Sequence, residues 1–335
     1  LNFTLDATAP TLDQTTSAVT GDTWVVSYAD MGSGFSSELP ATSNFTVTVY
    51  SNADVTKPTI VSVTSVRIDA SNQQIILTLA SAVQSGDTVQ VVYTPGSGTN
   101  LKDVAGNVLA ATTFSTSQVI NKTAPAELLN ITSMSGDSGS SATDFITNDG
   151  TSGKVVTGTI SSALRTGEVL QVSFNGGATW QTATTNGTSW TATDSSGHTG
   201  NWTIQGKVVS STNINGAVAT QAVLYNATLE ASPTLSLTTD SGTSATDKIT
   251  NSALITTNSL LQHSNLANVT TRTYIVDGVS SSTYVAPTTN GSHQVVVTDK
   301  DLAGNTVSST LNFTLDATAP TLDQTTSAVT GDTWV

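Results

Sequence analysis

The chain has 335 residues and no cysteine, so neither a disulfide framework nor a thiolate metal site is open to it. Only 10% of the residues are charged, and 24 acids against 10 bases give a formal net charge of −14. That balance lacks the basic footprint that nucleic acid or an anionic membrane requires, and it suits divalent cations wherever carboxylates gather. No apolar stretch approaches the ~20 residues of a membrane-spanning helix, so direct membrane insertion is not expected.

The first twenty-five residues, LNFTLDATAPTLDQTTSAVTGDTWV, return letter for letter at 311–335, a period of 310. Identity over that length reads as a window on a longer tandem array. Pro10, Pro125, Pro233 and Pro320 stand in TAP or ASP phrases spaced 115, 108 and 87 residues apart. Proline cannot donate to a strand ladder, so it marks seams between strand systems. The expected division is the last strand of a preceding repeat at 1–10, sandwiches at 11–124, 125–231 and 232–320, and the start of the next repeat at 321–335. Domains of about 100 residues suit β-sandwiches.

In chain order, FTVTVY (45–50), QIILTLA (74–80) and TVQVVYT (88–94) alternate or run apolar between Gly-, Asn- and Ser-rich breaks. KVVTGTI (154–160) follows, then VLQVSFNGGATWQTA (169–183), whose Asn175-Gly176-Gly177 signals a hairpin turn. HQVVVTD (293–299) and STLNFTLD (309–316) complete the set. No helical face emerges, and the class is all-β. Residues 1–6 and 321–335 would leave open edges on their own. Covalent continuation or strand exchange between copies would close them.

Acidic phrases recur beside the seams. DSGSSATDFITND (137–149) and DSGTSATDKITNS (240–252) match at an offset of 103, aligning Asp137 and Asp144 with Asp240 and Asp247; Asp149 ends the first phrase. KDVAGN (102–107) matches DKDLAGN (299–305), and the last strand runs on into LDATAP at 315–320, as at 5–10. Ca²⁺ takes about six to eight oxygens from carboxylates, amides, carbonyls and water. Sandwich loops gather at the poles, so Asp299, Asp301 and Asn305 are expected at the far pole, where the chain leaves through Asp316, or Asp6 in the other copy. The next opening loop would contribute from across the joint. Candidates after the first sandwich are Asp103, Asn107 and Asn121; after the second, Glu230, with NINGAV (213–218) in place of D-x-AGN. Asp and Asn also serve turns by bonding their own backbone, so the argument for Ca²⁺ is the paired recurrence and not any single acid.

His198, His263 and His293 are scattered and form no close metal-binding spacing. No phosphate loop or dinucleotide fingerprint occurs, and an enzyme is not expected. Trp180, Trp190 and Trp202 offer either a sugar platform or, more simply, core. N-x-S/T triplets at Asn44, Asn121, Asn130, Asn186, Asn201, Asn226 and Asn268 arise freely in so Asn-, Ser- and Thr-rich a chain.

Together, the D-SG-SATD-ITN openings, the NGGATW hairpin and D-x-AGN leading to TLDATAP resemble the bacterial Ig-like repeats of giant secreted adhesins, over roughly 125–320. These include repeats-in-toxin and type I-secreted adhesins. Residues 69–107, with SNFTVTVY before and VINKTAP after, are similar to repeats of a cyanobacterial swimming-motility surface protein. The resemblance implies Ig-like sandwiches strung like beads, with Ca²⁺ at the junctions. Asp299, Asp301 and Asp316 match junction ligands, and Asp137, Asp144, Asp240 and Asp247 match opening-loop aspartates. It implies a structural extender of an extracellular cell-surface fibre, serving adhesion or biofilm cohesion. Its partners would be neighbouring repeats, other fibres and surface or matrix material. A strand-exchanged filament or sheath and a carbohydrate-binding module are the rival readings.

Overall fold

The computed structural model describes residues 2–30, 32–52, 54–229, 231–260, 269–322, 329–330 and 333–334. Among them the backbone is strand and turn, with a single 3₁₀ turn at Thr42–Asn44. No helix there is long and apolar enough to cross a membrane. Strands β1 to β9 are Thr11–Thr20, Thr23–Ala29, Phe45–Ser51, Asp54–Val61, Val63–Asp69, Gln74–Leu79, Thr88–Tyr93, Thr112–Phe114 and Ile120–Asn121. Strands β10 to β17 are Leu129–Met134, Ile146–Thr147, Lys154–Ile160, Val169–Ser173, Gln181–Thr182, Thr184–Asn186, Ser189–Asp194 and Trp202–Val209. Strands β18 to β25 are Ala219–Tyr225, Leu235–Leu237, Ile249–Thr250, Ile255–Thr257, Val269–Val276, Val279–Ser281, Gly291–Asp301 and Thr306–Leu315. The chain is thus all-β, built of tandem sandwiches, and every strand predicted from periodicity is a strand here.

The chain divides into two compact units: 1–133, 153–195 and 203–222 in the first, and 134–152, 196–202 and 223–335 in the second. The first unit opens with one complete sandwich. A five-stranded sheet, β5-β6-β2-β1-β9, faces a four-stranded one, β4-β3-β7-β8. Their inward residues obey the period-two rule: β2 buries Trp24, Val26 and Tyr28, and β7 buries Val89, Val91 and Tyr93. Trp24 fills the centre, its indole N–H bonded to Ser17 Oγ at 2.9 Å and its ring edge-on to Phe114 at 5.1 Å. The last strand closes the sheet in parallel with the first, Ala18 opposite Ile120 and Val19 opposite Asn121.

The same unit holds the sheet β10-β12-β16-β15 and the antiparallel set in which β13 pairs with β14 and β17. The Asn175-Gly176-Gly177 turn lies in the β13–β14 hairpin, but the loop is longer than a two-residue turn, since Val172 pairs with Gln181. Asn175 organises it, accepting from Thr179 N at 2.9 Å and donating to Thr179 Oγ1 at 2.8 Å.

The second unit carries the sheet β20-β25-β24-β22-β23 and the pair β19-β21. Val295, Val297, Leu311, Phe313 and Leu315 form its buried core. Here too a short strand lies parallel to the last one, Ile249 opposite Thr314 and Thr250 opposite Leu315. Within the same unit β11 pairs in parallel with β18.

Residues 2–10 form no strand, and Phe3 and Leu5 are exposed where their twins Phe313 and Leu315 are buried. Of the expected next repeat, 323–328, 331–332 and 335 lie outside the described residues, as do His263 and Asn268.

Candidate metal centre

The DVAGN turn follows from its letters. Gly106 takes φ +95°, a left-handed backbone that favours glycine. Asp103 and Asn107 close the turn in both directions: Asp103 N donates to Asn107 O at 3.1 Å, and Asn107 N to Asp103 Oδ1 at 2.7 Å. Asn107 Nδ2 donates both to Asp103 Oδ2 at 2.6 Å and to the backbone oxygen of Asp6 at 3.1 Å. The turn therefore faces the linker that enters its sandwich. This corrects the expectation that such turns sit at the pole from which the chain leaves.

At this entry Asp6, Asp30 and Asp103 each bring one carboxylate oxygen to within 4.8 Å of the others. Asp30 ends the segment that leaves β2, and it is the member that no repeated phrase revealed. Asp103 is buried. Gly32 has no side chain for a reason: a Cβ there would lie 2.2 Å from Asp6 Oδ2. Ser33 donates its backbone N–H to that oxygen at 2.8 Å. Hydrogen bonds from the Ser33 side chain and backbone, and from Thr8 N, hold the Asp6 carboxyl below its usual pKa, so it stays ionised.

Three carboxylates at this range repel one another. Among the described residues no Lys, Arg or His pairs with any of them. Lys102, the nearest base in sequence, bonds Glu38 at 2.7 Å instead. One oxygen, Asp30 Oδ1, is shielded from solvent without a hydrogen-bond partner. An all-oxygen donor set with an orphaned carboxylate oxygen fits a hard divalent cation. Asp6, Asp30 and Asp103 would hold it, and it would supply the positive charge the protein leaves out.

The DLAGN turn in the second unit repeats the scaffold. Gly304 also has φ +95°, Asp301 N donates to Asn305 O at 3.0 Å, and Asn305 N to Asp301 Oδ1 at 2.8 Å. Asn305 Nδ2 reaches Asp301 Oδ2 at 2.9 Å and the backbone oxygen of Asn226 at 2.8 Å. Asp301 is fully buried, and its Oδ2 also accepts from Asn226 Nδ2 at 2.8 Å. The loop of the first acidic phrase lies against this turn. Ser138 Oγ donates to Ala303 O at 2.6 Å, and Asn148 Nδ2 to Asn305 Oδ1 at 3.2 Å.

Among the described residues, no three of the other predicted ligands gather their oxygens as Asp6, Asp30 and Asp103 do. Asp299 is a correction: it is fully buried and held by Arg272, whose Nε and Nη2 donate to its two oxygens at 2.6 and 2.7 Å. Asp137 Oδ2 accepts from Phe145 N at 3.0 Å and Asp144 Oδ1 from Ile146 N at 3.1 Å. Asp240 and Asp247 do the same for Lys248 N and Ile249 N, each at 3.1 Å. Those four shape their own loops. Asp149 Oδ1 caps Thr151 at 2.9 Å, and Asp316 Oδ1 accepts from Thr318 N at 3.1 Å. Asn121 sits apart from Asp103 and Asn107, donating to Gln84 O at 2.7 Å and Asp87 O at 2.9 Å. Glu230 lies outside the described residues. Trp190 and Trp202 are buried, and Trp180 is half-buried beneath Lys207 Nζ at 4.0 Å, so they present no open stacking platform.

Two family models match: a flagellar system-associated repeat over residues 5–98 and a bacterial Ig-like domain over 227–317. Among curated proteins nothing matches. A solved structure from a 1.5-MDa bacterial ice-binding adhesin is 17% identical, covering 91% of this chain and 96% of that one, with TM-score 0.31. The tetra-tandem repeat from the extending region of a large adhesion protein is 16% identical, covering 90% and 74%, with TM-score 0.25. The N-terminal part of the bacterial S-layer protein SbsC is 16% identical with TM-score 0.26; 65% of this chain aligns, and it spans 44% of that fragment. In sequence, then, the chain is similar to two bacterial repeat families at once, flagellar system-associated at 5–98 and Ig-like at 227–317.

Proposed function

We propose that this chain is a spacer segment of an extracellular bacterial surface fibre, that it works mechanically, and that Ca²⁺ stiffens it where a linker enters a sandwich. The carrying observation is the carboxylate trio of Asp6, Asp30 and Asp103, which no Lys, Arg or His among the described residues balances. One ligand comes from the linker, one from the end of β2 and one from the turn behind Asn107. A bound cation would tie all three segments and restrict the linker's rotation. The exact long repeat supports an array in which reach scales with copy number. Adhesion, or cohesion between cells, is the use such a spacer serves, with neighbouring repeats as its first partners.

Calcium titration of the chain by calorimetry tests the site. Saturable binding that Asp30→Ala weakens at least about tenfold is expected, since each charged ligand contributes more than 1.4 kcal/mol. No heat at millimolar calcium would overturn the site. Small-angle scattering on two linked periods, with calcium and then chelator, tests stiffening: a sharp fall in maximum dimension is expected. An unchanged rod would leave domain packing as the source of stiffness and favour the strand-exchanged filament.

A further inference from the structure

Three residues occupy one equivalent place. Asp6 in DATAP, Asn121 in NKTAP and Asn226 in NATLEASP each open a linker that runs to a seam proline, Asn226 over three more residues than the other two. In every case the backbone oxygen of that residue accepts a side-chain donor from a later turn. Asn107 Nδ2 serves Asp6 at 3.1 Å, Thr212 Oγ1 serves Asn121 at 3.2 Å, and Asn305 Nδ2 serves Asn226 at 2.8 Å. The carbonyl clamp is common to all three, and the side chain is what differs.

The difference is largest between Asp6 and Asn226, because their turns are otherwise alike. Beside Asp103 the linker offers a carboxylate, an acceptor only, so the two residues cannot bond without a cation between them. Beside Asp301 the linker offers an amide, and its N–H reaches Oδ2 at 2.8 Å. Asp301 then has three donors, two from Asn305 and one from Asn226. Nearby, the Arg272 guanidinium neutralises Asp299, the other buried acid of that strand end. Both Asp301 oxygens thus accept hydrogen bonds, whereas Asp30 Oδ1 at the first turn is buried and accepts none.

We propose that the linker residue sets how each joint closes: Asp6 leaves its turn to a divalent cation, whereas Asn226 donates directly to Asp301 and closes its joint without one. A period of this array therefore contains both an ion-dependent joint and an ion-independent one. The Asp6 half rests on the cation reading above; the Asn226 half does not.

Amide hydrogen exchange on the full chain, with calcium and with excess chelator, reads the two turns separately at Gly106 and Asn107 and at Gly304 and Asn305. In the unaltered chain, chelation should leave exchange at 304–305 within about twofold, and Asn226→Asp should make it about tenfold faster in chelator and restore it in calcium. Asn226→Ala, which removes the amide without adding charge, should speed it about tenfold in either condition. Chelator-sensitive exchange at 304–305 in the unaltered chain, or no response to Asn226→Ala, overturns the proposal. Asp6→Asn should make 106–107 insensitive to chelator. If 106–107 ignore chelator in the unaltered chain, the cation reading of Asp6 falls alone, because the Asn226 arm is read at other amides.

Discussion

Arg165 sets Nη1 3.0 Å from Asp87 Oδ1 and 3.2 Å from the backbone oxygen of Ser85, so a loop between β12 and β13 grips the loop that precedes β7. Asp87 is buried, and it also accepts from Asn52 N at 3.0 Å and Gln84 N at 3.1 Å. Its two backbone donors would remain if the arginine were lost. Arg165 is partly open to water, which screens the pair. Arg165→Ala should therefore cost only about 1 kcal/mol, with a similar coupling to Asp87→Asn in a double-mutant cycle. Urea unfolding at low and high salt checks it; the coupling should shrink at high salt.

The Arg272–Asp299 pair should behave differently, because both partners are buried. Arg272→Ala would strand a carboxylate in the core and should cost about 3–5 kcal/mol. Replacing both, Arg272→Met with Asp299→Leu, should restore most of that loss. Chemical denaturation followed at the second unit distinguishes the two, and a double variant no better than the single would refute the argument.

His293 faces acceptors on both ring nitrogens, Asp277 Oδ2 from Nδ1 and Thr289 O from Nε2, each at 2.7 Å. The Asp277 bond raises the imidazole pKa above 6.5, and bonds from Gln294 N and then His293 hold Asp277 below its usual value. A raised folded-state value means the histidine's contribution is complete below about pH 6.5 and is lost as pH climbs through the raised value. Asp277 contributes above about pH 3.8, and that part is lost on acidification. Thermal melts from pH 5 to 9 should thus show an alkaline decline that His293→Gln abolishes.

Gly139 has φ +99°, and a Cβ there would fall 2.0 Å from Leu302 O. A Cβ placed on Gly304 would likewise lie 2.9 Å from Gly139 N. Gly139→Ala should lift the acidic-phrase loop from the DLAGN turn and cost at least about 1 kcal/mol. Faster exchange at Asn148 N, with Gly106 unaffected, is the measurement.

Strands were legible because period-two patterning, like a repeated phrase, is a property of the letters themselves. The D-x-AGN turns were legible as special for the same reason. Their pole was not: whether a hairpin turn points toward the entry or the exit depends on which way its first strand runs. Asp30 stands outside any repeated phrase and becomes a ligand candidate only when β2 delivers it to Asp6. Asn226 was hidden by the three additional residues before Pro233, which shift NAT out of step with DAT when the prolines are aligned. Asp299 looked like a ligand because Arg272, its partner across the ladder, is 27 residues away.

The parallel pairing of an early strand with a last one has a consequence under load. In the opening sandwich Ala18 and Val19 run beside Ile120 and Asn121, and near the other end Ile249 and Thr250 run beside Thr314 and Leu315. Parallel neighbours that lie near the start and finish of a domain lead out of it in opposite directions. A pull on the chain then drags the two strands lengthwise past each other, so their cross-strand bonds bear the force together. An antiparallel hairpin pulled from its open end would surrender those bonds one after another. Both pairings are thus oriented to resist tension along the very axis in which a tether is stretched.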